Sequence, residues 1–160
     1  MIKKLFVGLV CVLQLNAYAS HVKVALPKPI QPWLRCTLVF SDVKFKENRY
    51  VYNVPVANTT KKRRRGLSGA LTKGKPFMLF SWERLSVRSF WMKNVNQSLM
   101  IIMINKAGVV TQINKMLANT TNAHVSAVPI KYALETQPSW FSHSGIALGS
   151  KMNVVKCYNT

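Results

Sequence analysis

Acidic residues are what this chain most lacks. Four of its 160 residues are Asp or Glu, against 23 Lys or Arg, for a net charge of +19. Only Asp42, Glu47, Glu83 and Glu135 could serve as carboxylates. Hydrolysis by paired carboxylates, and hard-cation sites built from many oxygen ligands, are therefore poorly supplied. Histidine is scarce as well. His21, His124 and His143 share no metal-ligand spacing with one another or with the three cysteines, so no metal site is expected. Thr72-Lys73-Gly74-Lys75 is too short for a phosphate-binding P-loop. His143, between Ser142 and Ser144, has no acid near it in sequence, and no nucleophile-elbow pattern surrounds either serine. No cofactor is implied, and these absences together point away from catalysis.

Long apolar runs are missing too, apart from Leu5 to Leu15 near the start. That run follows Lys3 and Lys4 and precedes Ala17-Tyr18-Ala19, a small-x-small pattern of the kind cut by a signal peptidase. It is shorter than the about 20 residues of a spanning helix. Residues 1–19 read as a cleaved export signal rather than a retained anchor, and the mature chain as periplasmic or secreted and bacterial. No transmembrane segment then remains. Cys11 would leave with the signal, and Cys36 and Cys157 would remain, one near each end. In an exported protein such a pair is expected to form a disulfide, the alternative being two free buried thiols. The bond would make the first and last strands neighbours.

The positive charge that fills the place of the missing acids favours polyanions: nucleic acid, lipid phosphate or acidic polysaccharide. An organism with a generally basic proteome is the alternative source. No specific nucleic-acid motif is present. Lys61, Lys62, Arg63, Arg64 and Arg65 follow Asn58-Thr59-Thr60, which offers a helix N-cap. At helical spacing five successive cations spread around the whole axis. In the first turn they oppose the helix dipole, by roughly a few tenths of a kcal/mol each. With free amides they make a candidate anion site, the alternative being a solvated, self-repelling surface.

Residues 20–33, with Pro27, Pro29 and Pro32, read as an extended arm, and residues 34–160 as one domain. Strand-like segments run over Leu34–Phe40, Arg49–Val56, Pro76–Trp82, Ser89–Lys93, Leu99–Asn105, Val109–Leu117, two short pieces within Val125–Leu134 broken at Pro129, and Met152–Tyr158. In Arg49–Val56 the alternation puts Tyr50, Tyr52, Val54 and Val56 on one face, and Pro55 places the strand at an edge or strand end. Leu99–Ile104 is apolar throughout and too short for a buried helix, which predicts a central strand. Lys106-Ala107-Gly108 is a tight turn. Helix is expected after Thr60, up to Gly74 and Pro76, and for a turn within Pro138–Ser144. The fold class is a compact, β-rich α+β domain: a partly closed, barrel-like mixed sheet with one or two short helices.

Several segments fall in an order that resembles a prokaryotic family, domain of unknown function 192. These are RRRGLSGAL, PFMLFSW, SFWMKNVNQSLMIIMINKAGVV and YALETQPSWFSHSGIALGSKM, and together they span about residues 50 to 155. Phe90-Trp91-Met92-Lys93-Asn94 is the most specific of them. The resemblance implies a compact β-rich domain, often exported, and no established activity. Ser68 stands where the family usually has Met, and Met100 where it usually has Asp. Asn105 and Ser150 also replace acids, whereas Glu135 is retained.

As a strand, Ser89–Lys93 would aim Trp91 and Lys93 one way and Phe90, Met92 and Asn94 the other. That is either core packing with a polar end, or a pocket walled by Trp91 with Lys93 at its mouth and Asn94 bonding a ligand. Glu135 follows the apolar Tyr132-Ala133-Leu134. Buried, it would need a partner, and Lys93 or Arg88 is expected to supply one; otherwise it is exposed. The leading functional expectation is a small exported accessory or binding module whose basic surface contacts an anionic polymer or lipid phosphate. A hydrolase or transferase using a Trp91/Lys93/Asn94 pocket, and a structural subunit of an envelope assembly, are the alternatives.

Overall fold

A computed structural model describes residues 33–41, 47–68 and 77–159. The expected export signal, the arm up to Pro32, and the Thr72–Lys75 stretch lie outside the described residues. The elements in chain order are β1 (Arg35–Ser41), β2 (Asn48–Ala57), α1 (Thr60–Arg65), β3 (Phe77–Ser86), β4 (Ser89–Phe90), β5 (Leu99–Ile104), β6 (Val110–Met116), β7 (His124–Val125), β8 (Ile130–Thr136), α2 (Pro138–Ser142) and β9 (Lys151–Tyr158). Seven strands form one sheet in the order β6-β5-β8-β3-β2-β1-β9, and β4 pairs with β7 separately. The sheet is mixed. β2 and β3 are parallel, with α1 in the crossover, and the other pairs are antiparallel. The α+β class and the short helices are as expected.

Closure stops at one corner. β6 and β9 remain the terminal strands, so the sheet is open. A single bridge, Val109 to Lys151, joins their near ends, helped by Val110 N to Ser150 O at 2.8 Å and Met152 N to Gly108 O at 2.7 Å. The tight turn before β6 makes this approach possible. Asn105 Oδ1 accepts from the N–H groups of Ala107 and Val109, and Gly108 sits at φ +80°. A Cβ on Gly108 would lie 2.4 Å from the Met152 carbonyl oxygen. Gly108→Ala is therefore expected to destabilise the fold by about 2 kcal/mol or more, through a clash with backbone added to an unfavourable φ. Denaturant unfolding checks this, and an unchanged midpoint would contradict the contact.

Both faces of the sheet are covered. Met78, Phe80, Leu99, Ile101, Met103 and Ala133 share one core with Leu67, Phe90, Met92 and Val95. Phe77, Leu79, Ile102, Ile104 and Leu134 share the other with Leu38, Phe40, Val54 and Met152. On that second face α2 packs through Trp140, whose ring meets Phe77 edge-on at 4.8 Å. Two covered faces explain why β3 begins, and β5 runs, as unbroken apolar sequence even though β5 has antiparallel neighbours on both sides. Trp33, at the end of the expected arm, is buried in the first core with Lys62 Nζ 5.4 Å above its ring.

The alternation expected for β2 is broken. Register slips between Cys36 and Leu38 on β1, and Asn53 on β2 takes φ +59°. This bulge switches faces mid-strand. Val51, Val54 and Val56 are buried, while Tyr50 and Tyr52 stack on each other at 6.0 Å outside that core. β2 is also not an edge strand. Its Pro55 is tolerated because pairing with β3 begins only at Val56. Cys36 lies directly opposite Cys157 in the β1–β9 ladder, and the two form the expected disulfide with Cα atoms 4.1 Å apart.

Candidate functional site

The segment after β4 does not continue as a strand. Phe90 and Met92 turn into the core, and Trp91 is left 59% exposed. Lys93 and Asn94 form a turn closed by Val95 N to Met92 O at 3.0 Å, with Asn94 at φ +60°. That is the position where a type II turn takes Gly or Asn. Asn94 is thus explained first by the backbone. Two bonds from the loop after β6 hold the turn in place: Met92 N to Thr120 O and Asn119 N to Val95 O. Trp91 and Lys93 do meet, with Nζ 5.7 Å from the ring centroid, but they do so around a turn rather than along a strand face.

Helix α1 is short. Thr59 caps it by accepting from Lys62 N, and Gly66 at φ +50° ends it. The cap occupies one amide of the first turn, that of Lys62. The cations are used toward the other end, where four of them occupy the last turn and suit the dipole. As expected they diverge around the axis. Lys62 goes to Trp33, and Lys61 points to solvent. Arg63 donates to Ser81 O at 2.9 Å and lies 5.6 Å from the Trp82 ring. Burial first, and Arg88 next, push its pKa below the ordinary value.

Between α1 and the 87–95 segment lies a cleft of about 510 Å³. Arg63, Arg64, Arg65, Trp91, Lys93, Asn94 and Glu135 all line it, so two candidate sets that are far apart in sequence share one site. Lys61 and Lys62 do not line it. Phe80, Trp82 and Phe90 supply an aromatic wall, with the Phe80 and Phe90 rings edge-on at 5.6 Å. Arg88, 4.9 Å from the Trp82 ring and bonded to Arg84 O, completes the cationic side. Trp82 was not singled out from sequence, and Arg88 was named only as a partner for Glu135. The signal was the two-residue spacing of Phe80 and Trp82, which places both on one strand face.

Glu135 lies deep in this cleft. It sits on β8 between Met78 of β3 and Ile101 of β5, both wholly buried, and is itself 5% exposed. The expected pairing with Lys93 or Arg88 is absent: among the described residues the one ion pair is Arg49–Glu47 at 3.8 Å. Burial alone pushes the Glu135 carboxyl up to about 8. Met100, where the resemblance expected an acid, is paired to Thr136 and so lies out of phase with Ile101, the β5 neighbour of Glu135. Asn105 and Ser150, in the places of two other acids, cap turns outside the cleft. Ser150 Oγ accepts from Ala147 N at 3.0 Å.

The Phe-Trp-Met-Lys-Asn turn, the Arg-Gly-Leu helix end and the retained Glu thus converge on one cleft. The family match spans residues 43–154, the greater part of the chain. The chain belongs to the domain of unknown function 192 family. That family is described as Uncharacterized ACR. No curated protein matches this domain of unknown function 192 member. Among solved structures, a protein of unknown function from Novosphingobium aromaticivorans is similar with a TM-score of 0.71 at 20% identity, covering 84% of this chain and 95% of that one. A proposed transcription regulator from Sinorhizobium meliloti has a TM-score of 0.69 at 19% identity, covering 84% of this chain and 97% of that one. At such identities the likeness extends to the fold alone.

Among the described residues no group of His, Cys, Asp and Glu is placed to hold a metal ion. His143 Nδ1 lies 2.8 Å from Ser139 O and 3.1 Å from Ser142 Oγ, and the Ser142 hydroxyl also lies 2.9 Å from Ser139 O.

Proposed function

We propose that this protein is an exported binding module of the domain of unknown function 192 family whose cleft takes an anionic group. One observation carries the reading: Arg64, Arg65 and Lys93 line the cleft, and among the described residues no carboxylate is paired to them. Unpaired cations on a partly apolar wall keep their field for a ligand, and the field is stronger there than on an open surface. The surplus, 21 − 4 = +17 once Lys3 and Lys4 leave with residues 1–19, extends the same attraction to anionic polymers and lipid phosphates of the cell envelope. Export is supported by the leader-like residues 1–19 and by the Cys36–Cys157 disulfide. No described helix is long and apolar enough to cross a membrane.

Catalysis finds little support in the cleft. Ser68 and Ser89 line it, but the Ser68 hydroxyl is bonded to Lys93 O, and Glu135 is bonded to neither serine. A nucleophile needs a base within hydrogen-bond reach.

Retention on immobilised polyphosphate is the test. The protein is expected to bind at low salt and to be released as salt rises. Replacing Arg64 and Arg65 by Ser should lower the slope of log affinity against log salt by about two. Passage through the matrix at physiological salt would overturn the reading.

A further inference from the structure

The cations of the cleft are of two kinds. Arg63 and Arg88 are engaged as struts: each donates to a backbone carbonyl, Ser81 O and Arg84 O, and each lies against Trp82. Among the described residues the side chains of Arg64, Arg65 and Lys93 make no hydrogen bond or ion pair, and all three are exposed at the rim. Glu135 is different again. It is more than nine-tenths buried and lines the same cleft, and among the described residues its carboxyl has neither a hydrogen bond nor an ion pair. The described side-chain atoms sealed from solvent without a partner are Arg88 Nε and Thr136 Oγ1, not the Glu135 oxygens, so this carboxyl opens onto the cleft and can be reached from it.

The groups around it decide what could pair with it. From α1 the charged groups facing the cleft are Arg63, Arg64 and Arg65, and from the 87–95 segment Arg88 and Lys93. The adjoining strands bring no charge to it: Met78 and Ile101 flank it, and Phe80 and Trp82 line the cleft. None of the cations ion-pairs with the carboxyl, and its burial favours the protonated form. A protonated carboxyl donates one hydrogen bond and accepts another, which suits a hydroxyl. The rim, in contrast, suits a phosphate. Two unlike receptors therefore share one cleft.

We infer that the ligand is a phosphate ester bearing a free hydroxyl, with its phosphate among Arg64, Arg65 and Lys93 and its hydroxyl on Glu135. The inference rests on the anion-binding reading and extends it to the floor of the cleft. A lipid headgroup and a free small ester both have this chemistry.

Calorimetric titration of the full chain with glycerol 3-phosphate and with methyl phosphate separates the two receptors. Both probes carry the phosphate, and only the first carries hydroxyls. Glycerol 3-phosphate is expected to bind about tenfold more tightly, the scale of one well-made buried hydrogen bond. Glu135→Gln keeps a donor and an acceptor and should retain most of that advantage. Glu135→Leu should remove it and leave methyl phosphate binding unchanged, with Glu135→Ala as the substitute if the leucine variant fails to fold. Equal affinity for the two esters, or an advantage that survives Glu135→Leu and Glu135→Ala, would sink the inference while leaving the anion site standing. Binding of neither ester would sink both. Vesicles of phosphatidylglycerol, competed with free glycerol 3-phosphate, distinguish the two sources. Capture by the vesicles assigns the headgroup, and binding of the free ester alone assigns a small metabolite.

Discussion

Reduction of the Cys36–Cys157 disulfide is expected to lower the melting temperature by about 10 °C or more. The bond spans 121 residues of sequence, close to the full length of the domain. In the chain-entropy account, a loop of that size stabilises the native state by about 4 to 5 kcal/mol, and loss of native disulfides from secreted domains commonly costs about 2 to 5. The position of the bond raises the stakes. β9 is a terminal strand paired only to β1 apart from the bridge at its start, and Met152 is its one buried side chain. Val154, Val155 and Tyr158 stay exposed. Beyond Met152, then, the strand is held by its ladder, by the Tyr158 hydroxyl bonded to Asn53 Oδ1 at 3.0 Å, and by the disulfide. Without the disulfide, residues 153–158 should open before the rest of the sheet. Thermal melts with and without a phosphine reductant, paired with hydrogen exchange over β9, measure both effects. Equal melting points for the oxidised and the demonstrably reduced protein would contradict the role assigned to the bond.

That the first and last strands are neighbours was legible from two cysteines and an export-like leader, because a covalent bond is a distance constraint written in residue identity. The buried strand β5 was legible for a similar reason: six apolar residues in a row leave no polar face to expose. Failures came where one backbone dihedral reverses a pattern. In β2, Asn53 at φ +59° moves Val51 into the core and the tyrosines out of it, and a period-two reading cannot see a bulge. After β4, Asn94 at φ +60° turns what resembles a strand into a tight turn. Both positions are Asn, the residue that tolerates this region best after Gly, yet Asn is common enough elsewhere that its presence alone does not signal it. The cleft was legible in its parts and not in its assembly. Trp91, Lys93, Glu135 and the arginine run could each be named, but the convergence of α1 with the 87–95 segment depends on a parallel β2–β3 crossover that no local pattern encodes. Glu135 went wrong in its partner because the chain is rich in cations. An abundance of Lys and Arg makes pairing seem assured, whereas the rim cations and the buried carboxyl lie at different depths.

This has a direct consequence for stability. Replacing Glu135 by Gln is expected to raise the melting temperature at pH 9 by several degrees, and to change it little near pH 4.5. A carboxyl held in an ion pair would behave in the opposite way, losing stability on substitution at neutral pH. In the unfolded chain the group titrates near its ordinary value of 4.5, and in the folded protein burial moves it up to about 8. Between those values the folded state holds a proton that the unfolded state has released, so stability falls as pH rises through this window, by about 1.4 kcal/mol per unit. The contribution is fully present below pH 4.5. Once the folded carboxyl has ionised, above about 8, the accumulated loss is on the order of 4 to 5 kcal/mol. An amide has the same shape and does not ionise, so the Glu135→Gln variant escapes this slope while still filling the space between Met78 and Ile101. Melting curves of the two proteins from pH 4.5 to 9 should therefore start together and diverge, with the variant the more stable at the alkaline end. Parallel curves would mean that the carboxyl is already ionised in the fold at neutral pH. In that case a cation of the cleft reaches it in solution, and the separation of rim from floor is lost.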